Sequence, residues 1–180
     1  MGTYGGGVFR STNNGGNWTE VNKGLTYQNV YALTVNETTI FAGIGGGVFR
    51  SSDNGENWTE VNKGWTRQDV YALTVSGTTL YAGTGGGGVF RSTDNGEHWI
   101  EVNTGLKNLH VVSLTVIGTM LFAGTYGDGV FRSTDNGGNW TKVNTGLTSQ
   151  DIPSLMVSGT TIFAGTYGDG IFRSTDNGEN

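Results

Sequence analysis

The groups in this 180-residue chain that could do chemistry are six arginines, fifteen acidic residues and two histidines. Five of the arginines, Arg10, Arg50, Arg91, Arg132 and Arg173, recur at one position of a repeating segment, and Asp53, Asp94, Asp135 and Asp176 recur three residues beyond the last four of them. Converging arginines would hold a substrate carboxylate, and a separate acidic pair would cleave a glycosidic bond. Equivalent positions of an array lie one per unit and do not converge, so each arginine is expected to lay its stem along a strand and pair locally. The glutamates (Glu20, Glu37, Glu56, Glu60, Glu97, Glu101, Glu179) are mostly fixed in the repeat as well, and no acidic dyad stands apart. Asp53-Asn54-Gly55-Glu56-Asn57 lacks the spaced oxygens of a calcium loop, and His98 and His110 occupy unrelated repeat positions. With no cysteine, thiolate zinc sites and disulfides are excluded. Gly5-Gly6-Gly7 is followed by no helix or suitably placed lysine that would make it a phosphate cradle. No cofactor, metal or catalytic set is expected, and the chain is expected not to be an enzyme. Asn-x-Thr sequons stand at Asn17, Asn36, Asn57 and Asn139, three of them within the repeated Asn-Trp-Thr.

The elements that carry these residues form one sentence written five times: GGGVFRSTNNGGNW (5–18), GGGVFRSSDNGENW (45–58), GGGVFRSTDNGEHW (86–99), GDGVFRSTDNGGNW (127–140) and GDGIFRSTDNGEN (168–180). The hydrophobic residue before the Phe falls at Val8, Val48, Val89, Val130 and Ile171, so the step is nearly constant along the whole chain. A steady period of about forty marks an array of identical supersecondary units. Within one unit, Val70–Val75, Thr78–Gly83, Gly88–Thr93 and His98–Val102 are rich in Val, Thr, Tyr, Phe and Trp and read as strands. Ser76-Gly77, Gly85–Gly88 and Asp94-Asn95-Gly96 supply the turns, and Pro153 sits near a strand start, where it is tolerated. Four antiparallel strands in such a period make one blade of a β-propeller, an all-β fold. Residues 1–180 read as one repeat array: a partial blade over 1–22, blades over 30–62, 70–103 and 111–144, and a partial blade over 152–180.

The turn between third and fourth strands, Ser-x-Asp-x-Gly-x-x-Trp, resembles the Asp-box, or BNR repeat. It is complete at Ser51, Asp53, Gly55, Trp58, at Ser92, Asp94, Gly96, Trp99 and at Ser133, Asp135, Gly137, Trp140. The first copy, Ser11, Asn13, Gly15, Trp18, carries Asn in place of Asp, and the last, Ser174, Asp176, Gly178, stops before its Trp. The resemblance spans the whole chain. It extends to sialidases, sortilin-type receptors, photosystem II assembly factors, xyloglucanases and, most of all, bacterial secreted repeat proteins or a designed consensus of them. In that family the box is a structural turn away from the active site, and the family implies a secreted or cell-surface location. Its physics agrees: Asp or Asn accepts main-chain N–H groups at a turn, Gly supplies positive φ, and Trp buries a large face. A sialidase would need three converging arginines, a Tyr/Glu pair and an acidic donor, which the repeat-locked residues do not supply.

Specialisation is expected where the copies differ. The linkers at 23–30, 63–70, 104–111 and 145–152 and the turns between second and third strands emerge together on one face, with the Asp-boxes opposite. The candidate ligand face is Tyr4, Tyr27, Trp65, Arg67, Tyr126, Asp128, Tyr167 and Asp169, joined by Gln68, Asp69, Lys107 and His110. Aromatic rings among hydrogen-bonding groups suit a glycan or a peptide. A net charge of −5 without a basic patch excludes a nucleic-acid partner, and no apolar run is long enough to cross a membrane as a helix. Although only 34% of residues are hydrophobic and 33 are Gly, the regularly placed aromatics imply a packed core. No export signal is read at Met1-Gly2-Thr3-Tyr4, and both ends fall inside a repeat, as in an excised or engineered piece. Seventeen strands are predicted, the first partial blade carrying a third and fourth strand and the last a first, second and third. Two copies completing one another's broken blades would give an eight-bladed homodimer, since a closed four-bladed ring would crowd Tyr31, Tyr71 and Phe41.

Overall fold

A computed structural model describes residues 1–65 and 68–179, which leaves Arg67 of the candidate ligand face outside the described residues. The protein is an all-β propeller chain of five antiparallel sheets in sequence order. The first holds β1 (Gly2–Thr3), β2 (Gly7–Arg10) and β3 (Thr19–Glu20). The second holds β4 (Val30–Asn36), β5 (Thr39–Ile44), β6 (Gly47–Ser51) and β7 (Thr59–Glu60). The third holds β8 (Val70–Ser76), β9 (Thr79–Thr84), β10 (Val89–Ser92) and β11 (Ile100–Glu101). The fourth holds β12 (Val111–Ile117), β13 (Met120–Thr125), β14 (Val130–Ser133) and β15 (Thr141–Lys142). The fifth holds β16 (Ser154–Ser158), β17 (Thr161–Gly165) and β18 (Ile171–Ser174).

Eighteen strands stand among the described residues where spacing predicted seventeen. The addition is β1, which pairs Gly2 with Val8 and Thr3 with Gly7. Fourth strands are shorter than predicted: of His98–Val102 only Ile100–Glu101 form strand, because the Trp99 N–H donates instead to Lys63 O at 3.0 Å, while the Val102 N–H still reaches Val89 O at 2.9 Å.

The core lies between successive sheets. Phe41, Val48 and Val61 of the second sheet meet Leu80, Phe90 and Trp99 of the third, and Tyr81, Val89 and Val102 meet Leu121, Phe131 and Trp140 of the fourth. Each such buried side chain contributes roughly 1.5–3 kcal/mol. The Ala-Gly pair near the end of β5, β9 and β13 is what admits the next sheet. A Cβ on Gly83 would lie 2.7 Å from Val111 Cγ1, so only Gly allows this approach. The first strands β4, β8, β12 and β16 lie against one another in order, which gathers their starts and the adjoining loops on one face.

Candidate functional site

Two sets of residues carry the chemistry, one in the Asp-box turns and one on the loop face. In the boxes the organising atom is the serine hydroxyl. Ser92 Oγ donates to Asp94 Oδ1 at 2.8 Å and accepts the Gly96 N–H at 2.9 Å, while Asp94 Oδ1 accepts the His98 N–H at 2.9 Å. Ser51 with Asp53 and Gly55, Ser133 with Asp135 and Gly137, and Ser174 with Asp176 and Gly178 repeat the first two bonds. Asn13 replaces the carboxylate without breaking the turn: its Oδ1 accepts from Ser11 Oγ at 3.0 Å and from the Asn17 N–H at 2.8 Å. Asn95 and Gly96 adopt φ of 57° and 85°, the left-handed geometry that the Asn-Gly pair permits. Hydrogen bonds from the Asn57 side chain and N–H and from Ser51 hold Asp53 down to about pKa 2. Asn139 and Ser133 do the same for Asp135, and the His98 N–H, the His98 ring and Ser92 for Asp94, each to about 2. These carboxylates stay ionised and are consumed by their own turns.

The boxes also tie sheet to sheet. Trp58 Nε1 donates to Val21 O at 2.8 Å, Trp99 Nε1 to Val61 O at 2.8 Å and Trp140 Nε1 to Val102 O at 2.7 Å, each reaching the preceding sheet. In the other direction, Arg10, Arg50, Arg91 and Arg132 donate to the carbonyls of Asn54, Asn95, Asn136 and Asn177 of the following sheet at 3.0–3.1 Å. Arg10, Arg50 and Arg132 also meet Glu56, Glu97 and Glu179. The arginine partners thus lie one sheet away, which spacing along one unit could not show. A further repeated group escaped sequence reading: Asn22, Asn62, Asn103 and Asn144 each accept the N–H of the third-strand Val at 2.6–2.7 Å.

On the opposite face, the turns bond to the following linkers. Gly7 N–H donates to Gln28 O, Gly88 N–H to Leu109 O and Gly129 N–H to Gln150 O. Here Tyr4, Tyr31, Tyr71, His110, Tyr126 and Tyr167 form one unbroken run, with successive ring centroids 4.9–6.5 Å apart. Tyr4, Tyr126 and Tyr167 are 84%, 51% and 65% exposed at its two ends. In the middle of the run His110 was expected on this face, whereas Tyr31 and Tyr71 were not. Tyr31 and Tyr71 look like inner-strand residues, but β-bulges between Val30 and Ala32 and between Val70 and Ala72 turn both rings to the loop face. The break in strict alternation at Val-Tyr-Ala is the signal that could have shown it. Burial and the nearby Asp69 charge raise the phenol pKa of Tyr31 and Tyr71.

The other predicted face residues scatter. Tyr27 is exposed on the linker before β4. Trp65 is half-buried, stacked on Trp99 at 5.0 Å and edge-on to Phe90 at 4.8 Å, where its counterparts are Leu25, Leu106 and Leu147. Asp128 pairs with Lys142, and Asp169 Oδ2 accepts from Thr148 Oγ1 at 2.7 Å.

A family model described as the DUF6242 beta propeller domain matches residues 5–109. The chain belongs to this family. Among solved structures, the extracellular domain of a one-component system from B. thetaiotaomicron superposes with a TM-score of 0.79 at 17% identity, over 96% of this chain and 25% of that one. An ancestral GH74 enzyme superposes at 0.76 and 22% identity, over 91% of this chain and 25% of that one. The computationally designed Ika4 protein superposes at 0.65 and 13% identity, over 84% of this chain and 94% of its own. This DUF6242 propeller chain spans about a quarter of the length of the first two, and at these identities the likeness carries the fold alone. No curated protein matches it by sequence.

Proposed function

We propose that this chain is a non-catalytic propeller scaffold and binding module whose incomplete first and fifth blades are completed between copies, as an eight-bladed homodimer. The carrying observation is at the two ends. The first and fifth sheets hold three strands each. At the fifth the repeat's apolar position opens to solvent, with Ile171 76% exposed against 6%, 0%, 0% and 5% for Val8, Val48, Val89 and Val130, and at the first Trp18 is 48% exposed against 4%, 2% and 4% for Trp58, Trp99 and Trp140. Unpaired strand edges and bare apolar faces are what a second sheet covers. The non-catalytic part is supported by how the repeat's ionisable groups are used, with arginines tied to the following sheet and box carboxylates to their own turns. The deciding measurement is solution mass by light scattering. A mass twice that of the 19.0 kDa chain supports the scaffold, and the mass of a single chain removes it.

A second reading rests on the aromatic run. Six rings in line, with open faces at Tyr126 and Tyr167, suit stacking against the apolar face of a sugar, which makes a multivalent glycan-binding module the alternative. On a glycan array the expected outcome is a sugar preference that Tyr126→Ala with Tyr167→Ala abolishes; binding unchanged in that variant rejects the site. Fluorogenic sialosides and xyloglucan should both remain uncleaved, and turnover of either would replace these readings with a glycosidase.

A further inference from the structure

The two ends of the chain carry complementary openings, each shaped for a residue found at the other end. At the C-terminal end, Phe122, Val130, Val143, Leu147, Ile162 and Phe172 line a cavity of about 110 Å³ between the fourth and fifth sheets. Each stands one repeat after a member of the cluster that encloses Trp140: Tyr81, Val89, Val102, Leu106, Leu121 and Phe131. The cavity is therefore a tryptophan socket, and Trp58, Trp99 and Trp140 fill its three counterparts at 4%, 2% and 4% exposure. Trp18, the same residue of the first sheet, is 48% exposed, with no sheet packed on its outer side among the described residues.

At the N-terminal end, a cleft of about 680 Å³ is lined by Val8, Val21, Leu33, Ile40 and Trp58 among others. Their counterparts one sheet on, Val48, Val61, Leu73, Leu80 and Trp99, enclose Phe41. The first sheet has no such ring, since its second strand is only Gly2–Thr3. Phe41, Tyr81 and Phe122 are 0–1% exposed in this role. Phe163, which pairs with Arg173 as Phe41 does with Arg50, is the corresponding residue of the fifth sheet and is only partly buried, with no sheet packed over it among the described residues.

We infer that the fifth sheet of one copy replaces β1 and β2 of a second copy, so that Phe163 enters the second copy's cleft while that copy's Trp18 enters the first copy's socket. This rests on the homodimer reading and specifies how its junction is built. The exchange is close to neutral in its own contacts, because the displaced and incoming strands are nearly the same sequence. Gly7-Val8-Phe9-Arg10-Ser11-Thr12 gives way to Gly170-Ile171-Phe172-Arg173-Ser174-Thr175, which differs only by Val8 against Ile171. The second copy keeps its β3, with Val21 O still accepting from its own Trp58, and β3 becomes the fourth strand beside the first copy's β18. Arg173 then reaches Asn54 O and Glu56 of the second copy, the acceptors Arg10 holds within one chain. The gain over the unexchanged state is two filled apolar sites per junction and a full second strand in place of a two-residue one. A twofold pair of such junctions closes the assembly.

The junction has a register that can be trapped. Arg10 faces Thr19 within one chain, as Arg50 faces Thr59 and Arg132 faces Thr141. After exchange Thr19 faces Arg173 of the other copy, close enough across an antiparallel pair for a disulfide. The chain has no cysteine of its own, so Thr19→Cys with Arg173→Cys, two solvent-side positions, reads only this contact. Mild oxidation of the double variant should give a covalent dimer that reductant dissolves. In the otherwise unaltered chain, Trp18→Ala should weaken dimerisation by about 100-fold or more, as for removal of a core tryptophan. Because Trp18 is half exposed within one copy, this variant should leave the folded chain intact by circular dichroism. A dimer-sized particle that neither cross-links nor responds to Trp18→Ala overturns strand exchange and leaves the homodimer standing. An internal disulfide in a monomer-sized particle, or a monomer's mass for the unaltered chain, overturns both.

Discussion

Ser92→Ala tests whether the box serine, rather than the Asp, is the centre of the motif, and the repeat supplies its own control in Ser11→Ala. Ser92 is 1% exposed and its hydroxyl takes the Gly96 N–H at 2.9 Å while donating to Asp94 at 2.8 Å. Removing the oxygen strands the Gly96 N–H where water does not replace it, at a cost of about 1–3 kcal/mol. The lost donor to Asp94 adds less, because that carboxylate is exposed and keeps its bonds from His98. A total of about 2–3 kcal/mol corresponds to a melting temperature lower by roughly 4–12 °C for a chain of this size. Ser11 makes the same bonds, 2.9 Å from the Gly15 N–H and 3.0 Å from Asn13, but at an open end where water replaces them. Ser11→Ala should cost no more than about 1 kcal/mol. Thermal melts by circular dichroism, paired with hydrogen exchange at the Gly96 amide, measure both. Equal shifts in the two variants, or an unchanged Gly96 exchange rate in Ser92→Ala, would refute the serine-centred account.

Three further outcomes follow from the same geometry. Asp53, Asp94 and Asp135 have folded-state pKa values lowered to about 2, so the stability they contribute is full above their unfolded value near 4 and disappears as pH falls toward 2; melting temperature recorded from pH 5 to pH 2 should fall through that window, and Asp135→Asn should flatten the slope. Gly64→Ala should destabilise by about 2 kcal/mol or more in a urea titration, since φ is +98° and a Cβ would lie 2.5 Å from Trp99 O, whereas Gly146→Ala, at φ +79° with nothing within 4 Å, should cost about 1 kcal/mol. Trp65→Leu restores the residue found at Leu25, Leu106 and Leu147 and removes a buried indole N–H that has no acceptor among the described residues, so the urea midpoint should move by less than about 1 kcal/mol of stability despite the lost stack on Trp99.

The fold was legible because the sequence writes one blade several times. Five copies of a Gly-Val-Phe-Arg-Ser strand followed by an Asn-Gly turn, with Ile for Val in the last, fix strand, turn and period with local chemistry alone, and Asp, Asn and Gly at the box turn take the geometry their side chains favour. The aromatic face was half legible. Tyr4, Tyr126 and Tyr167 stand in loops that differ between copies, but Tyr31 and Tyr71 reach the same face through bulges, and a bulge depends on pairing with a neighbouring strand. Trp65 shows the converse: a loop position by sequence, it folds under the linker onto Trp99 because the next sheet offers an apolar ring there.

By itself, then, the sequence determined what a full unit is: four strands joined by short turns, one of them a self-bonded Asp-box. Tertiary structure decided everything that passes between units. Whether an arginine bonds within its strand or to the following sheet, whether a tryptophan is 2% or 48% exposed, and which ring fills which cavity depend on what stands beside the unit in space. Trp18 and Trp99 sit in nearly the same local sequence, so local chemistry cannot separate them. They differ because burial is a property of the neighbouring sheet: among the described residues the second sheet packs against Trp99 and none packs against Trp18.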